Sequence, residues 1–374
     1  MKNELDKCIG CKVAFCNGCP CGTDVGHIIQ LIKSGNLDEA GQLLFFNNPL
    51  SAITGAICPS HEFCTKSCIL SRKGNPVNFS NIEREISKQY LEKLATGELG
   101  IAIQDNLHAR HFAVVGGGPA GIAFAFYAIL AGHNVVLFER ESELGGMLRY
   151  GIPDMRLDKS LIDKLENVLV NRMGIRIYKN TEFVSSKDYF DEIIVATGVG
   201  SSKRLDIDGK EHAIGALEFL KEMNTSPCDL TGQNIVIVGG GNVAVDCAIV
   251  AKHHGANTTL CYRKSKQDLR AYPKEIEHAE KMGVKFEFWA SPSQIKKGKA
   301  IFERDGKEIS FCSDKTIIAI GQDITKPEID GAHYIGDCVT GTRTIIEAVA
   351  SAKKLLDKLH KEAIAKAKEF FKLD

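Results

Sequence analysis

Cysteines are the side chains most able to do chemistry here, because eight of the thirteen lie within the first 68 residues. These eight are Cys8, Cys11, Cys16, Cys19, Cys21, Cys58, Cys64 and Cys68. In a reducing cytosol, thiols spaced this closely usually bind metal rather than form disulfides. Eight thiols are enough for two four-iron clusters, and the Cys-x2-Cys spacing also suits zinc. The scattered Cys228, Cys247, Cys261, Cys312 and Cys338 are predicted to be ordinary thiols.

A first glycine-rich turn follows a short apolar run, VVGGGPAG at residues 114–121, and the next apolar run ends in Glu139. In a dinucleotide-binding fold, Gly116 permits the tight turn and Gly118 lets backbone amides approach a pyrophosphate. Gly121 allows close helix packing, and Glu139 would accept hydrogen bonds from the adenosine ribose. The pattern predicts a dinucleotide site, with a plain glycine turn as the alternative.

A second unit of the same design is IVIVGGGNVA at residues 235–244, with Ala244 in the third small position. After its next strand, Arg263, Lys264 and Arg270 replace the acid that would hold an unphosphorylated ribose. Arginine is planar and bidentate toward phosphate, and lysine adds a point charge. The pattern favours NADPH over NADH, and a solvated basic loop is the alternative.

The second strand of one fold ends in an acid and that of the other is followed by basic residues. This difference predicts two different nucleotides, and the natural pair is FAD and NADPH. A flavin accepts a hydride and releases single electrons, so an electron donor beside the cysteines favours iron–sulfur clusters over zinc. This step needs no acid or base from the protein, and no catalytic residue is assigned. The chain would hold C4 of the nicotinamide within roughly 3–3.5 Å of N5 of the flavin.

The elements that must position these residues follow from the apolar patterns. Residues 1–110 carry helical patterns, for example at 26–44 and 81–94, with little strand character. Strand, glycine turn and helix are predicted at 111–132 and again at 234–254, further strands ending at Gly198 and Gly321, and a long helix at 344–371. The prediction is an α/β chain with a helical 4Fe–4S domain (1–110), a discontinuous FAD domain (111–200 and 321–374) and an NADPH domain (201–320).

Composition narrows the partners. Lysine plus arginine equals aspartate plus glutamate at 47 each, so no overall field would draw this chain to nucleic acid or to a membrane surface. The first ten residues lack the apolar core of a secretory signal, which predicts a cytoplasmic protein. The segment from Phe112 to Phe138 has no charged residue and is long enough to span a bilayer, but its Gly-Gly-Gly-Pro interruption favours strand, turn and helix.

Four longer segments carry a family resemblance: NPLSAITGAICPSHEFCTKSC (48–68), GGMLRYGIP (145–153), RKSKQDLRAYPKE (263–275) and GDCVTGTRTIIEAV (336–349). Over essentially its whole length the chain resembles the small subunit of glutamate synthase (NADPH) and the N-terminal half of dihydropyrimidine dehydrogenase. The resemblance implies Rossmann-like folds arranged as in adrenodoxin reductase and glutathione reductase.

The resemblance also implies two 4Fe–4S clusters and their ligands. Cluster A would be held by Cys8, Cys11, Cys16 and Cys68, and cluster B by Cys19, Cys58, Cys64 and Glu83. The gap between Cys16 and Cys19 is one residue shorter than in the family, and Cys21 is extra. Cys21 could therefore substitute for Cys19 or be a neighbouring thiol, and Glu83 could be a helix-surface carboxylate.

For the nucleotides, the resemblance places Gly336 and Asp337 at the flavin ribityl and pyrophosphate region. It also places Thr344 at the start of a helix whose amides face the isoalloxazine and would stabilise the anionic reduced flavin. The predicted FAD-binding residues are Gly116, Gly118, Pro119, Ala120, Gly121, Glu139, Arg140, Gly146, Met147, Leu148, Gly198, Gly336, Asp337 and Thr344. The predicted NADPH-binding residues are Gly239, Gly241, Asn242, Val243, Ala244, Arg263, Lys264, Arg270 and Gly321.

In such a family the small chain takes electrons from NADPH and passes them to a larger, FMN-containing partner. An alternative is an oxidoreductase that uses ferredoxin, sulfide or polysulfide directly. A thioredoxin reductase is disfavoured, because its redox pair should lie beside the second glycine motif, where only Cys247 is present. A different class is a nucleotide-sensing, zinc-binding protein without enzymatic activity.

Overall fold

The chain forms two compact units in a computed structural model that describes residues 2–184 and 189–371. The first unit comprises Met1–Leu148, Arg156–Gly198 and Lys326–Asp374, and the second Arg149–Met155 and Val199–Thr325. The first unit thus holds both the cysteine-rich region and the first glycine motif. The second unit holds the second motif, so each glycine turn has its own core.

Short helices build the cysteine-rich region. They are α1 (Lys2–Lys7), α2 (Val25–Lys33), α3 (Leu37–Asn47), α4 (Ser51–Ile57), α5 (Cys64–Ser67) and α6 (Phe79–Thr96). The helical pattern at 26–44 belongs to two helices rather than one, because Gly35 adopts the left-handed conformation at φ 86° and ends α2. Asp24 caps α2 by accepting a hydrogen bond from the His27 amide at 3.1 Å. Buried Ile28 and Leu44 join the core of this region.

The remainder of the first unit surrounds a five-stranded parallel sheet. Its elements are β1 (His111–Val115), α7 (Pro119–Leu130), β2 (Asn134–Phe138), α8 (Met147–Tyr150), α9 (Ser160–Asn167), β3 (Arg176–Tyr178) and β4 (Glu192–Val195). With β15 (His333–Tyr334) the strand order is β15-β4-β1-β2-β3. The uncharged segment from Phe112 to Phe138 is β1, a glycine turn, α7 and β2, as predicted. Across the described residues, no helix has the length and apolar character needed to cross a membrane.

The chain returns to this unit through α13 (Asp337–Thr340) and α14 (Ile345–Phe371), and α14 packs against α7. A pair of histidines lies at that contact: His133 Nδ1 accepts the Arg110 amide at 3.2 Å, and its Nε2 lies 2.8 Å from Nε2 of His360. Burial, and next the neighbouring His360, lower the pKa of His133 to about 4. Because Nδ1 is already an acceptor, a proton there would break the Arg110 hydrogen bond.

The second unit contains a parallel sheet of the same design. The elements around it are β6 (Ala213–Gly215), α10 (Ala216–Thr225), β7 (Asn234–Val238), α11 (Asn242–His253), β8 (Asn257–Tyr262), α12 (Pro273–Lys281), β9 (Lys285–Phe288) and β13 (Lys315–Ile318). The strand order is β6-β13-β7-β8-β9. Two short strands of the same unit, β5 (Ser201–Ser202) and β14 (Gln322–Asp323), pair with each other in a separate antiparallel sheet. In each unit the glycine turn follows the central strand, where the strand order reverses and nucleotides bind in such sheets.

An antiparallel sheet also belongs to the second unit: β10 (Ser291–Lys296), β11 (Gly298–Arg304) and β12 (Lys307–Ser313). None of the sequence patterns above predicted this sheet. Asp305 and Gly306 join β11 to β12 with φ values of 52° and 71°. Two consecutive left-handed residues of this type form the tight hairpin turn typical of Asp-Gly. Phe302 on β11 packs with Val236 and Ile318 of the parallel sheet.

Candidate functional site

The first glycine turn is shaped by close backbone approaches. Gly116 has φ 107°, and a Cβ there would lie 2.6 Å from the Ala196 carbonyl oxygen. A Cβ on Gly121 would lie 1.9 Å from the Gly116 carbonyl oxygen. A Cβ on Gly118 would meet nothing within 4 Å. Gly116 and Gly121 are therefore required for packing, while Gly118 leaves open space in front of the N-terminus of α7, where a pyrophosphate would bind.

Glu139 ends β2 beside this turn and is only 6% exposed. One carboxylate oxygen accepts the Gly117 amide at 2.7 Å, and the other accepts the Glu141 amide at 2.8 Å. Each oxygen keeps a further acceptor position, so the fixed carboxylate can also receive ribose hydroxyls. The next residue, Arg140, is exposed and lies 3.5 Å from Glu141.

Residues from distant parts of the chain complete the cradle. A Cβ on Gly146 would lie 3.1 Å from Gly118 Cα, and one on Gly336 would lie 2.8 Å from Ala120 Cβ. Gly145, which the sequence analysis did not single out, donates its amide to the Gly117 carbonyl at 2.8 Å. Its position beside Gly146 in GGMLRYGIP was the available signal. Three chain segments therefore meet at one glycine-lined surface.

The remaining predicted FAD residues lie at the ends of elements. Pro119 is the first residue of α7, Met147 and Leu148 begin α8, and Gly198 follows β4 with φ 69°. Asp337 begins α13, and burial raises the pKa of its carboxyl to about 6.

Thr344 caps α14 through a reciprocal pair of contacts. Its hydroxyl donates to Glu347 Oε2 at 2.7 Å and accepts the Glu347 amide at 3.4 Å, while its own amide donates to the same carboxylate oxygen at 3.0 Å. This capping box fixes the N-terminal end of a long helix. Ile346, in the first turn of this helix, also lines one of the cysteine cavities described below.

The second glycine turn repeats the first in its own unit. Gly239 has φ 155°, and a Cβ there would lie 2.2 Å from the Ala319 carbonyl oxygen. A Cβ on Gly241 would meet nothing within 4 Å. Ala244 is fully buried in α11 at the third small position. Gly321, after β13, has φ 120°. The open position is again the second glycine, at the helix N-terminus.

The basic segment after β8 is tied to this turn by its backbone. The Arg270 amide donates to the Gly240 carbonyl at 2.8 Å, and the Tyr272 amide donates to Asn242 Oδ1 at 2.8 Å. Val243 is the next residue of α11 and packs on the core of this unit.

The three predicted cations, Arg263, Lys264 and Arg270, are exposed. Within the described ranges none of them forms an ion pair with a carboxylate. The Asp268 carboxylate nearby is instead held by Ser265 at 2.6 Å. Three exposed cations without an ion-pair partner among the described residues, beside this glycine turn, suit an additional phosphate.

Two neighbouring cavities gather the eight predicted cluster ligands. The outer cavity, about 700 Å³ including its open mouth, is lined by Cys8, Cys11, Cys16, Cys64 and Cys68. The inner cavity, about 360 Å³, is lined by Cys19, Cys58, Cys64 and Glu83 together with Thr23, Thr54 and Ile346. Cys64 borders both. In the part of the chain that the structure describes, no three or more such side chains converge tightly enough to hold one metal ion as they stand.

Electrostatic neighbours divide the thiols in the same way. Burial raises the pKa of Cys16, and the charges of Cys68, Cys8 and Cys11 add to that rise. Burial likewise raises the pKa of Cys64 to about 12, with Glu83 and Cys19 as the next contributors. The structure thus brings together the two predicted ligand sets, each around its own cavity. Thiolate sets of this kind suit iron–sulfur clusters, whose positive irons offset the mutual repulsion.

Glu83 points into the inner cavity from α6. Thr54 donates to its Oε1 at 3.3 Å, and burial followed by the charge of Cys19 raises the pKa of the carboxyl to about 8. Thr54 was not among the predicted site residues, although it lies in the segment at 48–68 that carried the resemblance. Glu83 lines this cavity together with Cys19, Cys58 and Cys64, and this position favours the ligand prediction over the helix-surface alternative.

Cys19 and Cys21 differ in their surroundings. The hydrogen bond from Cys21 is the largest cause that lowers the pKa of Cys19 to about 6, against the effect of burial, and Thr23 contributes a further hydrogen bond at 3.3 Å. Cys21 is buried, its Sγ lies 3.4 Å from the Ile346 carbonyl oxygen, and it is not among the inner cavity's lining residues. The geometry favours Cys19 as the ligand and Cys21 as its neighbour.

Known proteins are similar to this chain in sequence and in fold. Residues 110–334 match the pyridine nucleotide-disulphide oxidoreductase family, and residues 1–95 match the 4Fe–4S cluster domain II of dihydropyrimidine dehydrogenase. The chain is 28% identical to the NAD-dependent dihydropyrimidine dehydrogenase subunit PreT of Escherichia coli O157:H7, over 96% of this chain and 93% of PreT. It is 29% identical to the glutamate synthase [NADPH] small chain of E. coli K12, over 79% of this chain and 66% of that small chain.

The relatives differ in how much of their length this chain matches, and a solved structure shares its fold. The chain spans about half the length of several other curated relatives, at 42% to 48% of each. Among solved structures, Mycobacterium tuberculosis FprA in complex with NADPH shares the fold, with a TM-score of 0.57 at 16% identity, over 69% of this chain and 86% of FprA.

These matches confirm the predicted resemblance, the α/β fold class and the oxidoreductase activity. They also support the coarser cofactor prediction of a flavin and nicotinamide nucleotide fold with an iron–sulfur region. The chain belongs to the pyridine nucleotide-disulphide oxidoreductase family and is an NAD(P)H-dependent flavin oxidoreductase with an N-terminal 4Fe–4S domain.

Proposed function

We propose that the chain is an electron-input subunit that oxidises NADPH and delivers electrons, through two 4Fe–4S sites, to a larger redox partner. FAD and the clusters, when bound, supply the exchange between a two-electron hydride and single electrons. The protein's own residues hold these groups in order and leave the outermost site accessible to the partner.

The observation that carries the proposal is the serial arrangement of the cysteine cavities. The inner cavity reaches Ile346 in the first turn of α14, whose cap Thr344 belongs to the predicted flavin site. Cys64 borders both cavities, so the outer one follows the inner one directly. Such an order supports a path that begins at the FAD fold and ends at the outer cavity.

The rim of the outer cavity supports a protein as the acceptor. Ile9, Val13 and Phe15 are 65%, 66% and 59% exposed, and Ile9 and Phe15 line the cavity itself. Large apolar side chains that remain in water beside a redox site are typical of a protein interface. A small inorganic acceptor such as sulfide would need no such surface.

The ligand sets are proposed as predicted: Cys8, Cys11, Cys16 and Cys68 for cluster A, and Cys19, Cys58, Cys64 and Glu83 for cluster B. Glu83 has its carboxyl fixed by Thr54, which leaves the other oxygen for iron. NADPH rather than NADH is proposed because Arg263, Lys264 and Arg270 are exposed and carry no carboxylate partner among the described residues.

The test is anaerobic purification of the tagged chain from its native host. Iron, acid-labile sulfide, zinc and flavin are measured, and NADPH is then added while visible spectra are recorded. We expect one flavin and about eight irons per chain, bleaching by NADPH, and a co-purifying larger flavoprotein. Zinc in place of iron would overturn the cluster assignment. A chain that emerges alone and reduces added ferredoxin would replace the subunit role with that of a free-standing reductase.

A further inference from the structure

A chain of hydrogen bonds runs from a lysine of the FAD fold to a predicted cluster ligand. Lys353 Nζ donates to Asn47 Oδ1 at 3.0 Å, and Asn47 Nδ2 donates to Thr23 Oγ1 at 2.9 Å. Thr23 Oγ1 in turn donates to Cys19 Sγ at 3.3 Å. Every donor in this relay therefore points away from the positive charge and toward the sulfur.

The direction of the relay follows from the chemistry of its members. An ammonium group has donors only, so Lys353 fixes which side of the Asn47 amide is the oxygen. The amide nitrogen must then face Thr23, and a hydroxyl that accepts there keeps its single proton for Cys19. Thr23 is 5% exposed, so water competes little for that proton.

The two ends of the relay belong to different parts of the first unit. Asn47 is the last residue of α3 in the cysteine-rich region, whereas Lys353 lies in α14 beside the FAD fold. Tyr127 of α7 also donates to the Asn47 carbonyl oxygen at 2.5 Å, which anchors the relay to a second helix of that fold. The position of Asn47 is therefore set from the FAD side.

We propose that Thr23, Asn47 and Lys353 are positioning residues that raise the reduction potential of the cluster held by Cys19. This inference rests on the proposed function, in which Cys19 is a cluster B ligand. An added electron makes the ligand sulfur more negative, so a hydrogen bond and a directed positive charge stabilise the reduced cluster more than the oxidised one. Polarised hydrogen bonds in series strengthen one another in a buried site.

The outer thiols differ in this respect. Within residues 2–184 and 189–371, no side-chain hydroxyl or amide donates to Sγ of Cys8, Cys11, Cys16 or Cys68. The relay should therefore act on one cluster and leave the other unchanged. The two proposed clusters already differ in one ligand, because Glu83 takes the place of a cysteine in cluster B. The relay adds a second difference, which is confined to the cluster nearer the FAD fold.

The experiment is an EPR-monitored redox titration of the anaerobic, cluster-loaded chain, comparing Thr23→Val with its matched control Thr23→Ser. Valine has the same shape without the hydroxyl. We expect Thr23→Val to change the ratio of oxidised to reduced cluster about tenfold, in favour of the oxidised form, for one of the two clusters. This corresponds to a fall of about 59 mV in that cluster's midpoint potential for a one-electron couple. The second cluster should keep its midpoint, and Thr23→Ser should match the wild type.

A second pair acts farther from the sulfur, in case Thr23→Val fails to assemble. Lys353→Met should lower the same midpoint by a smaller amount, and Lys353→Arg should not. If both midpoint potentials are unchanged in Thr23→Val, the inference is overturned. If Thr23→Val does not assemble its clusters, unchanged midpoint potentials in Lys353→Met overturn it instead. Failure of the proposed function looks different: the wild type would then lack the two EPR signals and the iron, or Cys19→Ser would retain both clusters.

Discussion

Replacement of Arg263 by glutamine should change which nicotinamide nucleotide the chain prefers. The Arg263 side chain is exposed and has no carboxylate partner among the described residues, so its removal leaves no charge buried without compensation. A surface change of this kind alters the free energy of unfolding by about 0.5 kcal/mol or less. Any large effect should therefore come from the lost contact with the 2′-phosphate.

The size of that effect follows from the type of contact. A hydrogen bond to a charged group contributes about 1.5–3 kcal/mol, and each 1.4 kcal/mol is about a tenfold change in affinity. Lys264 and Arg270 remain in the variant and retain part of the positive field. We therefore expect the dissociation constant for NADPH to rise about tenfold, at the lower end of that range, while that for NADH stays within about twofold.

The assay is anaerobic stopped-flow reduction of the bound flavin at a series of NADPH and NADH concentrations. Lys266→Gln is the matched control, because Lys266 lies in the same loop but is ion-paired with Glu280. It should change NADPH affinity by less than about twofold. The reasoning is refuted if Arg263→Gln weakens NADPH and NADH equally, or if the control matches it.

Three further predictions concern the flavin turn, the extra thiol and the buried histidine. Gly118→Ala should fold, because its Cβ meets no protein atom within 4 Å, but it should lose FAD, because that Cβ enters the space proposed for the pyrophosphate. Gly121→Ala should lower the melting temperature, because its Cβ would lie 1.9 Å from a backbone oxygen. Flavin content and thermal melts separate the two variants. Cys21→Ser should keep the full iron content while Cys19→Ser loses about half, as measured by iron and sulfide analysis; equal losses would contradict the ligand assignment. The depressed pKa of His133, about 4 against an unfolded value near 6.5, should make the free energy of unfolding fall by about 1 kcal/mol per pH unit between those values as the pH drops, since only the unfolded chain binds the proton there. Denaturant melts of His133→Gln should show a shallower slope, and the lowered pKa of His360 accounts for part of what remains.

The nucleotide turns could be predicted from sequence because their constraints are local. Gly116 and Gly239 adopt positive φ next to a carbonyl oxygen of a neighbouring strand, and only glycine fits such a position. The apolar run before each turn and the small residues after it are contiguous in the chain. The whole strand, turn and helix therefore lie within a window of about 20 residues of the sequence.

The antiparallel sheet was also encoded locally but was missed. Its Asp305-Gly306 turn is a strong hairpin signal between two strands that pair antiparallel. By contrast, the hydrogen bond between Thr54 and Glu83 joins residues 29 positions apart on two helices. Nothing in either segment by itself identifies the partner, because side chains on separate helices meet only after packing.

The sequence by itself determined the two glycine turns, the fold class and the presence of a cysteine-rich region, because each depends on residue types at short fixed spacings. The resemblance proposed how the thiols divide, but only the tertiary structure decided which of them share a cavity. It also decided that Cys64 borders both cavities, and that Lys353 reaches Asn47 across 306 positions of the chain. The physical reason is that thiols and hydrogen-bond donors act over a few ångströms, and distances between remote residues are set by the packing of helices rather than by their order in the chain.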